Sequence, residues 1–166
     1  MDRLKKDALP VSRIRVETPI GNLIVSARNG AIVSISLESN ASLDISFSSS
    51  EEPVLNLAAE QLKEYFAGLR RNFTFEMEPE GTRFQKEVWN ALLNIPFGET
   101  KSYGQIALET GNPKSSRAVG IACNRNPIMI AVPCHRVVGA DGSLTGYALG
   151  TDLKQTLLAL ETNPQK

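Results

Sequence analysis

Residues 53–77, PVLNLAAEQLKEYFAGLRRNFTFEM, carry the change of hydrophobic period that decides the fold. Leu55, Ala58, Ala59, Leu62, Tyr65, Phe66 and Leu69 recur at three- and four-residue spacing, which predicts an amphipathic helix. Phe73, Phe75 and Met77 then alternate and predict a returning strand. Upstream the period is two throughout. Ile14 and Val16 alternate with polar residues, Thr18 to Gly21 forms a turn, and Leu23 and Val25 resume the alternation. Asn29-Gly30 predicts a tight hairpin because both residues tolerate positive φ, and Ile32, Ile35 and Leu37 supply a third strand. Residues 39–52, rich in Ser and Glu, read as an exposed connection.

Downstream the chain turns helical, and the change falls near Glu78-Pro79-Glu80-Gly81. Thr82/Gln85 and Ser102/Gln105 both fit the capping box, in which hydroxyl and amide side chain satisfy orphan backbone N–H groups. The first of these helices carries Phe84, Val88, Ala91 and Leu92 on one face and stops before Pro96-Phe97-Gly98. The second carries Ile106 and Ala107 and ends at Gly111; after Asn112 to Ser115 a third runs from about Ser116 to Cys123. A short helix, a turn and a second helix bearing Arg117 and Arg125 outline a helix-turn-helix, with a turn longer than usual. Ile128 to Val132 is uniformly apolar and reads as a buried extended segment. A last helix, from about Asp152 to Glu161, buries Leu153, Leu157 and Leu160. The expectation is an α/β protein: a β-rich N-terminal domain with one helix over residues 1–79, then a mainly helical domain with a helix-turn-helix over 80–166.

Composition narrows the function. Eighteen Lys and Arg balance eighteen Asp and Glu, so no global basic field marks a nucleic-acid partner. Residues 101–136 nevertheless hold Lys101, Lys114, Arg117, Arg125 and Arg136 against Glu109 alone. That pattern fits a solvated face or a local basic patch able to make a few phosphate contacts. Two cysteines and one histidine are too few for a disulfide framework or most zinc sites. No signal peptide or membrane-length apolar run is present, so a cytoplasmic location (nuclear in a eukaryote) and no membrane association are expected.

The only histidine, His135, adjoins Cys134 at the end of the apolar run. A thiol attacks as thiolate, and an imidazole titrating near neutrality is a natural proton acceptor. Adjacent side chains on extended backbone point to opposite sides, so a working pair needs a turn or a bridging water. Glu161 of the last helix can orient the other ring nitrogen of His135. Taken alone, Cys134 and His135 fit equally a small core residue beside a satisfied polar neighbour; Cys123 reads as core filler.

Pro133-Cys134-His135-Arg136-Val137 resembles the active-site signature of the O6-alkylguanine-DNA alkyltransferases, also called methylated-DNA–protein-cysteine methyltransferases. The likeness extends over Phe84 to Trp89, Ile95 to Gly98, Ser102 to Gly104, Arg117 to Gly120, Asn126-Pro127, Gly146-Tyr147 and Leu157 to Glu161. Thr18 to Gly21 in the first half is also typical of the family.

The resemblance implies one-shot transfer of the alkyl group from O6-alkylguanine, and less well from O4-alkylthymine, in double-stranded DNA to Cys134. His135 would take the thiol proton through a water, Glu161 would hold His135, and Asn126 would brace the active-site turn. Arg117 would fill the stack vacated by a flipped-out nucleotide, and Tyr103 would contact the flipped base. The carbonyls of Cys134 and Val137 would read the guanine amino group, and Tyr147 with the backbone N–H of Ala148 would polarise the leaving oxygen. Lys114, Ser116, Arg117 and Arg125 would meet the DNA from its minor groove. No cofactor, no metal and a monomer in solution are expected: the zinc ligands of some members are absent, with no His or Cys before Cys123. Leu149 departs from the small-residue run of many relatives and lies near the expected alkyl site. Two rivals stand beside this reading. A non-catalytic lesion-binding module of the same family would lack the acceptor cysteine, and a thiol hydrolase would need an oxyanion hole for which the chain offers no motif.

Overall fold

Three antiparallel strands open the fold, in the order β1 (Ser12–Thr18), β2 (Gly21–Arg28) and β3 (Ala31–Leu37). The molecule is described by a computed structural model, over residues 10–39, 47, 52–144, 146–147 and 149–162. The β2–β3 hairpin turns at Asn29 and Gly30, both at positive φ (53° and 76°) as their side chains allow. Helix α1 (Pro53–Phe66) starts with proline in its first turn and lays Leu55, Ala58, Leu62 and Tyr65 on the sheet. The helix ends three residues short of the periodic pattern. Gly68 takes φ 76° and turns the chain outward, so Leu69 is 81% exposed. Most of the expected exposed connection, residues 40–51, lies outside the described residues apart from Phe47.

The returning strand over 73–77 does not form. Phe73 and Phe75 pack against the core, but the backbone meets β3 only around Ile32, whose N–H donates to Glu76 O and whose carbonyl accepts from Glu78 N, each at 2.8 Å. The alternation there reflects aromatic anchoring rather than a ladder.

Helix α2 (Arg83–Leu92) and helix α3 (Tyr103–Glu109) each begin with the expected capping box. Each cap residue is worth about 1 kcal/mol, which matters most for the seven-residue α3. Helix α4 (Ser116–Asn124) packs on both, and Trp89 fixes its position by donating Nε1–H to the buried carbonyl of Ala122 at 2.9 Å. Gly81 is required here, because a Cβ would stand 2.5 Å from the Trp89 ring. Helix α5 (Thr151–Thr162) closes the chain and buries Leu157, Lys154 and Glu161, while Leu153 and Leu160 are half-buried.

Residues 128–132 are buried but not extended. Val132 N–H donates to Ile128 O at 3.0 Å and Ala131 N–H to Met129 O at 2.8 Å, so the apolar run is a compact turn. Its pivot, Ile130, sits at φ 71°, a conformation that costs a β-branched residue about 1–3 kcal/mol. β3 holds this turn from the first half: Ile35 N–H donates to Pro127 O at 2.9 Å and Met129 N–H to Ile35 O at 3.1 Å. Among the described residues no helix is long and apolar enough to cross a membrane.

Candidate active site

Cys134, His135 and Arg136 form a single turn of 3-10 helix, which supplies the bend that extended backbone would deny them. All three are buried, His135 completely. Val137 and Val138 follow as β5 and pair in parallel with Lys101 and Ser102, the two-residue β4. That pairing brings the start of α3, and with it Tyr103, beside the turn.

Asn126 braces the preceding loop from both ends. Its Nδ2 donates to Val132 O at 2.7 Å, its Oδ1 accepts from Ile128 N at 2.9 Å, and Nδ2 also lies 3.3 Å from Cys134 Sγ. Burial pushes the Cys134 thiol above its ordinary pKa; the Asn126 amide, the Lys154 ammonium and the Tyr147 hydroxyl pull the other way and favour the thiolate.

Glu161 gathers the base. Its Oε1 lies 2.7 Å from His135 Nε2 and accepts from Arg136 Nη2 at 2.9 Å and Tyr65 Oη at 2.8 Å. Its Oε2 accepts from Arg136 Nε at 2.9 Å and Gly98 N at 3.3 Å. Burial alone would raise this carboxyl, yet the hydrogen bonds from His135 and Arg136 outweigh it and bring the pKa down to about 2. The group is therefore an anion at neutral pH and can only accept, which puts the proton of His135 on Nε2 and the lone pair on Nδ1. Nδ1 is buried with no hydrogen-bond partner among the described residues. Burial lowers the pKa of His135 while Glu161 raises it, and the balance keeps the ring neutral and basic. A buried thiol, an oriented neutral imidazole and an anchoring carboxylate are the groups that a nucleophile, its base and the base's orienting acid require.

Two family models match the chain: "6-O-methylguanine DNA methyltransferase, ribonuclease-like domain" over residues 14–79 and "6-O-methylguanine DNA methyltransferase, DNA binding domain" over 83–163. The methylated-DNA–protein-cysteine methyltransferase of Methanosarcina acetivorans is 50% identical over 147 residues, covering 87% of this chain and 94% of the relative. The chain belongs to this methyltransferase family. The crystal structure of Mycobacterium tuberculosis O6-methylguanine methyltransferase superposes with a TM-score of 0.84 at 39% identity, over 95% of this chain and 96% of that one. A second structure of the mycobacterial protein, in complex with DNA, gives 0.82 at 42% identity over 92% of both chains.

Within the methyltransferase frame, the remaining expected residues divide into two groups. Tyr103 and Tyr147 lie at the thiol. The Tyr103 ring packs over Gly120, and its hydroxyl stands 3.0 Å from where a Cβ on Gly146 would be; Gly146 also has φ 79°, so both space and backbone call for glycine there. The Tyr147 hydroxyl is buried and faces the Cys134 thiol. Arg117, Lys114 and Arg125 are exposed and Ser116 is half-buried, in α4, the turn before it and its C-cap. The N-cap Ser115 leaves the first amides of α4 without a side-chain cap. Ala148 lies outside the described residues.

The basic patch of residues 101–136 is smaller than its composition. Arg136 is buried on Glu161 and the carbonyl of Ile95, and Lys101 is paired with Glu109 at 2.5 Å. Lys114, Arg117 and Arg125 remain of the five.

Three contributors escape the sequence reading. Arg136 completes the Glu161 cluster, Tyr65 reaches it from the first half, and Lys154 is wholly buried beneath Tyr103 and Tyr147, its Nζ 5.7 and 5.9 Å from their rings and donating to Val137 O. The Val137 carbonyl, expected to read a base, thus has one of its two lone pairs in use. Lys154 interrupts the apolar face of α5 at the spacing of Leu157 and Glu161, the one signal that could have exposed it. Among the described residues no cluster of three His, Cys, Asp or Glu side chains could hold a metal.

Proposed function

We propose that this methyltransferase repairs double-stranded DNA by moving the alkyl group of O6-alkylguanine, and more slowly of O4-alkylthymine, irreversibly to Cys134. The observation that carries this is the His135 ring, next to Cys134 in the chain, anchored through Nε2 to an ionised Glu161 with Nδ1 buried and without a hydrogen-bond partner among the described residues. The Cys134 proton passes through a water to Nδ1. Sγ then attacks the alkyl carbon in line; the S–C bond forms as the C–O6 bond breaks, and the electron pair leaves with guanine. Tyr147, kept protonated by burial, and the Ala148 N–H are the donors that stabilise charge on O6. A thioether is not hydrolysed, so each molecule acts once and no cofactor is consumed.

A thiol this buried is reached only by a base outside the stack, and flipping costs a few kcal/mol. Tyr103 meets the flipped base and Arg117 fills the gap it leaves. The helix pair α3–α4 serves as the helix-turn-helix, presenting Lys114, Ser116, Arg117 and Arg125 to the minor groove of a duplex that a monomer can scan. In this scheme residues 80–166 bind DNA and accept the alkyl group, residues 1–79 support them, and the protein works in the cytoplasm or, in a eukaryote, the nucleus.

Intact mass after incubation with excess duplex carrying one O6-methylguanine tests the reading. A gain of about 14 Da on the Cys134 peptide, with no further turnover, is expected. An unmodified protein that still holds the duplex would instead make it a lesion-binding module.

A further inference from the structure

Tyr65 stands on α1, in the half of the chain that carries neither Cys134 nor His135, yet its hydroxyl is buried against the carboxylate that orients the base. Oη donates to Oε1 of Glu161 at 2.8 Å, the same oxygen that His135 Nε2 meets at 2.7 Å. The ring is aimed by aromatic neighbours on several sides, with centroids 5.2 Å from Phe66, 5.6 Å from Phe73 and 6.2 Å from Phe97. Phe97 belongs to the second half, so the hydroxyl is held by the seam between the two halves. A packing role alone needs only the ring; a phenol buried in such a cluster carries a desolvation cost unless its O–H finds a partner.

We propose that Tyr65 is a positioning residue for the His135–Glu161 pair: its donation to Oε1 holds the carboxylate's orientation and draws charge from the oxygen that His135 uses, so the first half of the chain sets the basicity of the catalytic imidazole. This rests on the reading of His135 as the base for Cys134. The charged groups acting on His135 are Glu161 and Lys154 from α5 and Arg136 from its own turn, and Tyr65 acts through Glu161 from α1. Removing the phenol hydrogen bond concentrates negative charge on the oxygen facing Nε2–H and favours the imidazolium. The midpoint of His135 then rises, and the neutral base is lost at a higher pH than in the unaltered protein.

The chain's single histidine makes the test direct, because every imidazole NMR signal is His135. In Tyr65→Phe its titration midpoint is expected to rise by about 0.5–1 pH unit relative to the unaltered protein. The acid limb of the alkyl-transfer rate should move by the same amount, slowing transfer about three- to tenfold below the midpoint and less than about twofold at pH 8.5. Phe66→Leu, which loosens the ring cluster and keeps the hydroxyl, should lower thermal stability and leave the midpoint in place. An unmoved midpoint and acid limb in Tyr65→Phe, with only stability reduced, would overturn the proposal. If Tyr65→Phe does not fold, the unaltered protein decides: a slowly exchanging Tyr65 hydroxyl proton coupled to the His135 titration supports the proposal, and its absence refutes it. Failure of the unaltered protein to alkylate Cys134 would instead sink the reading on which it rests, while the NMR titration still reports on Tyr65.

Discussion

Glu161 and His135 stand 26 residues apart in sequence and 2.7 Å apart in the fold, joined by a fully buried hydrogen bond. The same carboxylate takes two nitrogens of Arg136, so a single acid orients the His135 ring and neutralises a buried cation. Removing its charge therefore affects activity and stability together. Glu161→Gln leaves Arg136 buried without its counter-ion, which is expected to cost roughly 3–5 kcal/mol in urea unfolding. The second-order rate of alkyl transfer should fall by about 10²-fold or more, read with a duplex carrying O6-methylguanine.

Acid should unfold the protein early. Glu161 has a folded pKa of about 2, below its ordinary 4.5, so its contribution is full above pH 4.5 and is lost as pH falls towards 2. That shift corresponds to roughly 3 kcal/mol. His135 is also lowered in the fold, chiefly by burial, and so adds stability above its ordinary 6.5 that is lost as pH falls below it. Urea midpoints should decline from about pH 6.5 downward and steepen below 4.5; a flat profile between pH 7 and 4 would contradict this ionisation pattern.

Asn126→Ala should cost about 2–4 kcal/mol, because it strips partners from both Ile128 N–H and Val132 C=O in the turn that carries the strained Ile130. Transfer should slow even under conditions where the variant remains folded, since Cys134 also loses the nearby amide. Circular dichroism alongside single-turnover kinetics separates the two effects.

Arg117→Ala should leave stability within about 0.5 kcal/mol, as expected for an exposed side chain. Repair of alkylated duplex should slow severalfold, while reaction with free O6-benzylguanine, which needs no base flipping, stays unchanged. Equal loss on both substrates would remove Arg117 from the DNA-facing role.

The two cysteines should separate cleanly. Cys134→Ala abolishes the mass gain yet still shifts alkylated duplex in a gel. Cys123→Ala keeps the mass gain and loses about 1 kcal/mol of stability, because Cys123 is a buried filler of α4.

Local signals were legible wherever chemistry and geometry lie within a few residues. The hairpin at Asn29-Gly30 and both capping boxes formed as their residues dictate, because each depends on φ preference or on a hydroxyl and an amide three residues apart. The alternation of Phe73, Phe75 and Met77 misled, since period two reports burial on one side and says nothing of a hydrogen-bonding partner. The run Ile128 to Val132 misled similarly: an apolar stretch without periodicity is equally a strand or a buried turn, and the choice fell to Asn126 and the edge of β3.

The sequence by itself determined the helical frame and set a thiol beside the only histidine, with Glu161 as the acid able to meet its ring, because adjacent residues and a capped helix are chemical facts of the chain. Only the tertiary structure decided which cations face solvent and which are spent inside. Arg136 counts in the sequence towards a basic patch and Lys154 carries no local signal of a partner, yet both are buried because Glu161, Ile95 O and Val137 O meet them where the chain folds back. Tyr65 shows the same limit. A hydroxyl on one half of the chain reaches the carboxylate that holds His135 only when the aromatic seam brings α1 against Glu161, a contact across 96 residues that no local pattern encodes.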